Sequence, residues 1–120
     1  MINGRKFPSA GSIVYSVMAT TSLTKDSPDF DLIGKPNPFA VDLLMQEHGI
    51  KDKSKMIMVG DRPNTDITFG ANAGIDTCLV FTGVVRDEED FLKNWEVEEH
   101  PKRVPTHFMQ SFGKFEADNN

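Results

Sequence analysis

The stretch Met56-Ile57-Met58-Val59-Gly60-Asp61-Arg62-Pro63-Asn64-Thr65-Asp66-Ile67 leaves this chain few ways to fold. Four apolar residues run into Gly60, an acid follows at once, and a second acid stands five residues later. The apolar run is too short and too sharply bounded for a helix, and it predicts a buried strand over residues 55–60. Asp61 then falls at the strand's carboxyl end, where open α/β sheets carry their chemistry. Asn64 or Thr65 can cap a following helix, which puts Asp66 in or beside its first turn. Two carboxylates converging on one sheet edge either bind a hard cation such as Mg²⁺ or repel each other. The pattern marks a site.

Upstream, Leu32-Ile33-Gly34-Lys35-Pro36-Asn37-Pro38 holds a lysine between a glycine and a proline at a helix entrance. That helix is expected over residues 37–48, with Phe39, Ala40, Val41, Leu43 and Leu44 on one broad face and Gly49 as its stop. Other elements follow from periodicity and turn chemistry. A helix over residues 10–21 carries Ile13, Val14, Val17 and Met18 on one face. The segment 24–29 is turn-rich, and Leu32-Ile33 is a short apolar segment. A helix near residues 65–73 closes at Gly74, and a buried strand over residues 77–81 leads to Gly83. Asp87 caps a short helix over residues 88–95, which Phe91 and Trp95, four apart, dock on the sheet. Residues 96–105 form a loop, residues 106–111 a last strand, and residues 114–120 a frayed end. Strands alternating with helices imply an α/β fold with a Rossmann-like parallel sheet and flanking helices.

Each candidate also has a plain structural reading. Gly-Asp after a strand can be a simple turn, and Asp66 can sit near a helix amino end to favour its dipole. Lys35 alone fits a solvated surface lysine. Arg62 and Asn64 fit either substrate contacts or, as the better reading, turn-fillers, and Thr65 a helix cap. His48, His100 and His107 lack metal-ligand spacing.

Taken together and in order, these pieces resemble the C-terminal half of haloacid dehalogenase-type phosphatases. The matching residues are Ala10-Gly11-Ser12-Ile13-Val14, Ile33-Gly34-Lys35-Pro36-Asn37-Pro38, Gly60-Asp61-Arg62-Pro63-Asn64-Thr65-Asp66-Ile67 and Gly70-Ala71-Asn72-Ala73-Gly74-Ile75. Val80-Phe81-Thr82-Gly83-Val84-Val85 continues the match. The branch resembled most is that of the nitrophenyl, phosphoglycolate and pyridoxal phosphatases. The resemblance implies a Mg²⁺-dependent phosphomonoesterase acting on a small phosphorylated metabolite. It makes Asp61 a direct Mg²⁺ ligand and Asp66 an orienting or alternate ligand. Lys35 becomes the catalytic cation that spans the carboxylate nucleophile and the phosphate. Residues 1–9 become a remnant of the connection from cap domain to core, and residues 10–120 the C-terminal part of the core domain.

One part of the family pattern is missing. These phosphatases attack phosphate with the first aspartate of an Asp-x-Asp-Gly motif that follows an apolar strand. Asp29-Phe30-Asp31 has Ser27-Pro28 before it, Leu32 after it, and lies only four residues from Lys35, so it reads as a polar turn. The 120 residues are therefore expected to be inactive alone, as a truncated product, a partial gene model or a degenerate paralogue. Their partner would be the missing N-terminal half or a homologous subunit. Without the nucleophile-bearing strand, residues 56–59 would present an unpaired edge. A non-catalytic binding or regulatory module derived from such a phosphatase is the alternative. A receiver-like signalling domain fits less well, because a receiver's lysine follows its acids while Lys35 precedes Asp61.

Composition agrees with a single ordinary domain. The chain has 120 residues, 38% of them hydrophobic, with 13 scattered basic residues and a net charge of −5, which argues against a nucleic-acid surface. Arg5 and Lys6 precede a small-residue run at 10–19, but Gly11, Ser12, Tyr15 and Ser16 interrupt it, against a signal peptide. No apolar stretch approaches the roughly 20 residues that span a bilayer, so no membrane role is expected. The lone Cys78 reads as a buried strand thiol in a reducing compartment, and the expected location is cytoplasmic.

Overall fold

The structure, a computed structural model, describes residues 8–114. Most of the expected cap-domain connection at residues 1–9, and nearly all of the expected frayed end, lie outside the described residues. The chain divides into two compact units, residues 1–32 and residues 33–120.

The first unit holds helix α1 (Ala10–Thr21), where the sequence places it. At its start the Ser9 N–H donates to Ser12 Oγ at 3.4 Å, and the Ser12 N–H to the Ser9 carbonyl at 2.9 Å. Of the expected apolar face, Met18 is buried and Val14 half-buried, while Ile13 and Val17 stay exposed. Asp29 lies in an exposed turn in which the Phe30 N–H donates to the Ser27 carbonyl.

The second unit contains helix α2 (Phe39–His48), strand β1 (Ile57–Gly60), helix α3 (Thr68–Ala73), strand β2 (Asp76–Val80), helix α4 (Glu88–Asn94) and strand β3 (His107–Met109). All strand pairings are parallel and the order is β1-β2-β3. The chain passes from β1 to β2 through a π-helical turn and α3, and from β2 to β3 through α4 and a 3₁₀ turn at Pro101–Arg103. This is the expected α/β arrangement, because parallel neighbours need crossover segments. That 3₁₀ turn falls inside the segment expected to be a plain loop. Leu32 and Ile33 form no strand and are exposed.

β2 is the central strand and is buried from Thr77 to Val80. Its register with β3 is locked by two threonines. The Thr77 N–H donates to Thr106 Oγ1 at 2.8 Å, and the Thr106 N–H donates to Thr77 Oγ1 at 3.0 Å. On one side Ile67, Leu79, Val85, Phe91 and Val97 form a core, with Phe81 and Trp95 packed against it. α4 thus docks through Phe91 and Trp95, as their spacing predicts, and Phe91 also meets Phe108 edge-on at 5.4 Å.

A second core joins Val41, Phe69, Ala73 and Ile75, with Met45, Met56 and Met58 against it. Here the expectation for α2 needs correction. Val41 is buried, but Phe39, Leu43 and Leu44 are exposed. The helix packs along the narrower Val41 and Met45 stripe, one turn apart, because a short helix beside the small α3 meets too little surface to cover a wider face.

β1 pairs with β2 on one edge only, and no strand covers its other edge among the described residues. Its first residue, Ile57, is half exposed. The strand is therefore the open edge anticipated from the sequence.

Leu79 is fully buried at the centre of the first core. Leu79→Ala should lower unfolding stability by about 2–5 kcal/mol, read as a lower urea midpoint. An unchanged midpoint would mean that this core does not hold the sheet.

Candidate active site

Gly60 ends β1, so Asp61 leaves the carboxyl edge of the parallel sheet. The chain then turns through Pro63–Ile67, a π-helical turn with proline at its first position, where no N–H is needed. The Asp66 and Ile67 N–H groups both donate to the Arg62 carbonyl, at 2.9 and 3.2 Å. The helical path begins two residues earlier than residue 65. Asn64 and Thr65 therefore lie inside the turn and do not cap it. Asp66 supplies the capping contact instead, its Oδ2 accepting the Arg62 N–H at 3.0 Å.

Asp66 is only 5% exposed, and both its oxygens are engaged. Oδ1 accepts from Lys35 Nζ at 2.6 Å, across 31 residues of sequence. Lys35 sits in the turn before α2, closed by the Asn37 N–H on the Gly34 carbonyl at 3.0 Å. Asn37 Oδ1 accepts the Phe39 N–H, and Asn72 Nδ2 reaches from α3 to the Pro36 carbonyl at 2.9 Å. The lysine turn is thus fastened to both neighbouring helices. The Lys35 side chain remains 49% exposed, so one end of this pair faces solvent.

Asp66 also lies directly against Gly60. A Cβ built on Gly60 would come within 2.4 Å of the Asp66 Cβ, a separation that side chains do not reach. Asp61 is held separately. Its Oδ2 accepts the Val84 N–H at 2.8 Å, and its Oδ1 has no hydrogen-bond partner among the described residues. The fold therefore brings Lys35, Asp61 and Asp66 to one end of β1.

The two carboxylates differ in what compensates them. Asp66 pairs with the Lys35 ammonium, whereas the hydrogen-bond donor to Asp61 is a neutral backbone amide. A hard cation takes such a carboxylate oxygen, so the donor chemistry at Asp61 fits Mg²⁺. Among the described residues no three His, Cys, Asp or Glu side chains are grouped to hold a metal ion. His48, His100 and His107 belong to no such group.

Sequence reasoning assigned no role at this site to Gly83 or to the backbone N–H groups of Arg62 and Val84. A backbone donor leaves no trace in residue type, and the contact that Gly83 makes is across the sheet edge. Arg62 and Asn64 have exposed side chains. Asn64 instead lines a shallow cavity with Thr68, Glu99 and Lys102. Cys78 is buried in β2, and burial pushes its thiol above the usual range.

A family model for HAD-hydrolase-like proteins matches residues 32–113. The chain belongs to the HAD-like hydrolase family. Several of the relatives it matches are named phosphatases. Phosphoglycolate phosphatase 2 of Arabidopsis thaliana is 38% identical over 98 residues, covering 82% of this chain and 31% of that protein. Human glycerol-3-phosphate phosphatase is 40% identical over 82 residues, covering 68% of this chain and 24% of that protein. The crystal structure of a 4-nitrophenylphosphatase from Thermotoga maritima aligns at a TM-score of 0.65 with 36% identity, over 88% of this chain and 36% of that one. The HAD-like chain thus spans about a third or less of the relatives it matches. Among the described residues no helix is long and apolar enough to cross a membrane.

Two outcomes check this geometry. Lys35→Met should cost about 1–2 kcal/mol of stability in urea denaturation, because Asp66 is left buried without its cation. An unchanged midpoint would show the pair to be idle. Cys78 should react with a thiol reagent at neutral pH only as fast as the protein opens, since both access and thiolate are suppressed. Labelling at the rate of a free thiol would contradict its burial.

Proposed function

We propose that this chain is the C-terminal portion of a Mg²⁺-dependent phosphomonoesterase acting on small phosphate esters such as 4-nitrophenyl phosphate, phosphoglycolate or pyridoxal phosphate. The observation that carries the reading is the meeting of Lys35 with Asp66 beside Gly60 and Asp61 at the carboxyl end of β1. Residues 10–120 serve as the C-terminal part of the core domain and residues 1–9 as the remnant of a cap-domain connection. The phosphatase names of the relatives support the reaction class.

Phosphoryl transfer needs negative charge neutralised on the transferring group and on the attacking oxygen. Asp61 would hold Mg²⁺ through its Oδ1, and the ion when bound supplies part of that neutralisation. Lys35 supplies the rest. Its side chain is half-exposed, and an ammonium has three donors, so Nζ can donate to a phosphate oxygen while one donor stays on Asp66 Oδ1. Asp66, with both oxygens occupied, acts by fixing Lys35 and the turn that follows Asp61.

The attacking carboxylate comes from outside these residues, from an N-terminal half or a homologous subunit that could add a strand to the open edge of β1. That open edge also favours a second reading, a non-catalytic module that binds such a partner. An in-frame Asp-x-Asp-Gly after an apolar run in the upstream genomic sequence supports the enzyme, and its absence supports the module. A cytosolic setting suits either, given one thiol, Cys78, and no disulfide framework.

The 120-residue chain should show no turnover of 4-nitrophenyl phosphate with Mg²⁺, because it lacks a nucleophile. Turnover that survives repurification and dilution but disappears in Asp61→Asn would overturn this and return attention to Asp29.

A further inference from the structure

The residue after β2 that matters most to Asp61 is a glycine with no conformational reason to be one. Gly49 and Gly74, which end α2 and α3, have φ of 64° and 70° and need a glycine for that reason. Gly83 has no such φ, so its backbone would accept an alanine. Space would not. A Cβ on Gly83 would stand 2.0 Å from Asp61 Oδ2 and 2.5 Å from both the Cβ and Cγ of Asp61. Rotating the carboxylate away cannot relieve this, because the Asp61 Cβ is fixed to its own backbone.

We propose that Gly83 and Val84 are positioning residues for Asp61, whose carboxylate occupies the place a side chain at 83 would take. The inference rests on the cation reading of Asp61 given above. Val84 donates its N–H to Oδ2 at 2.8 Å, and Gly83 lets the two strands' ends approach closely enough for that bond to form. The donor is neutral, and this is the functional point. An amide holds one oxygen in a fixed orientation without cancelling the charge, whereas the lysine at Asp66 cancels it. The arrangement therefore orients one carboxylate for a cation and reserves the other for the lysine. Partners that orient a ligand typically change metal affinity about 10–100-fold when removed.

The test uses the whole 120-residue chain with Mn²⁺ as the probe, followed by paramagnetic broadening of the Gly60 and Asp61 amide signals. Gly83→Ala should need at least about tenfold more Mn²⁺ than wild type for equal broadening. In the metal-free protein its Val84 amide should lose protection from hydrogen exchange, while the Leu79 amide keeps it. Equal broadening together with an unchanged Val84 amide overturns the proposal. Asp61→Asn serves to separate the two readings. If it leaves Mn²⁺ broadening unchanged, the cation reading fails, and the metal-free comparison alone decides the positioning role.

Should Gly83→Ala fail to fold, the double variant Asp61→Gly with Gly83→Ala decides. It removes the three Asp61 atoms nearest to the new methyl. Cooperative unfolding restored to the midpoint of Asp61→Gly supports the proposal. Equal damage from Gly83→Ala in both backgrounds overturns it.

Discussion

A buried carboxylate at position 66 organises the end of the sheet where this HAD-like chain carries its candidate site. One oxygen takes the Lys35 ammonium and the other the Arg62 N–H, so a group that would be costly to bury alone is satisfied on both sides. Through Lys35 it fastens the turn before α2. Through Arg62 it sets the π-helical turn that carries the chain away from β1. The same side chain presses on Gly60, which fixes where β1 ends and Asp61 begins. Two segments distant in sequence, the Lys35 turn and the end of β1, are joined by one side chain.

Close approach is the second constraint, and glycines permit it. Gly60 makes room for Asp66, Gly83 for Asp61, and Gly70 for the Thr77 methyl, which would be 2.3 Å from a Cβ at 70. Each contact draws a helix, turn or loop tightly onto the sheet. The small α3 can then cover β1 and β2 despite its six residues. The sheet itself is held by the fully buried Leu79 and by the reciprocal Thr77 and Thr106 bonds, while β1 remains open along one edge.

Much of this was legible in the sequence. An apolar run ending in Gly-Asp placed β1 and Asp61, because strand length and turn chemistry are local properties. Gly49 and Gly74 marked the ends of α2 and α3, and Phe91 with Trp95 marked the docking face of α4. Where local rules competed with tertiary packing they gave way. Asn64 and Thr65 have good capping side chains, yet the turn starts at Pro63, because the Asp66 carboxylate satisfies the Arg62 N–H from within. The broad apolar face of α2 narrowed to Val41 and Met45, since burial depends on what a neighbour can reach.

The sequence by itself determined the alternating α/β order, the carboxyl-end placement of Asp61 and the candidacy of Lys35, Asp61 and Asp66. Residue type and spacing suffice for those, because each follows from a period, a breaker or a charge. Only the tertiary structure decided which acid receives the lysine and which a backbone amide. It also decided that Val84, through its backbone, holds Asp61, and that Gly83 is small for the sake of a residue 22 positions earlier (83 minus 61). Those are contacts between segments that meet only after the strands align in register, and backbone donors and excluded volume carry no signature along the chain.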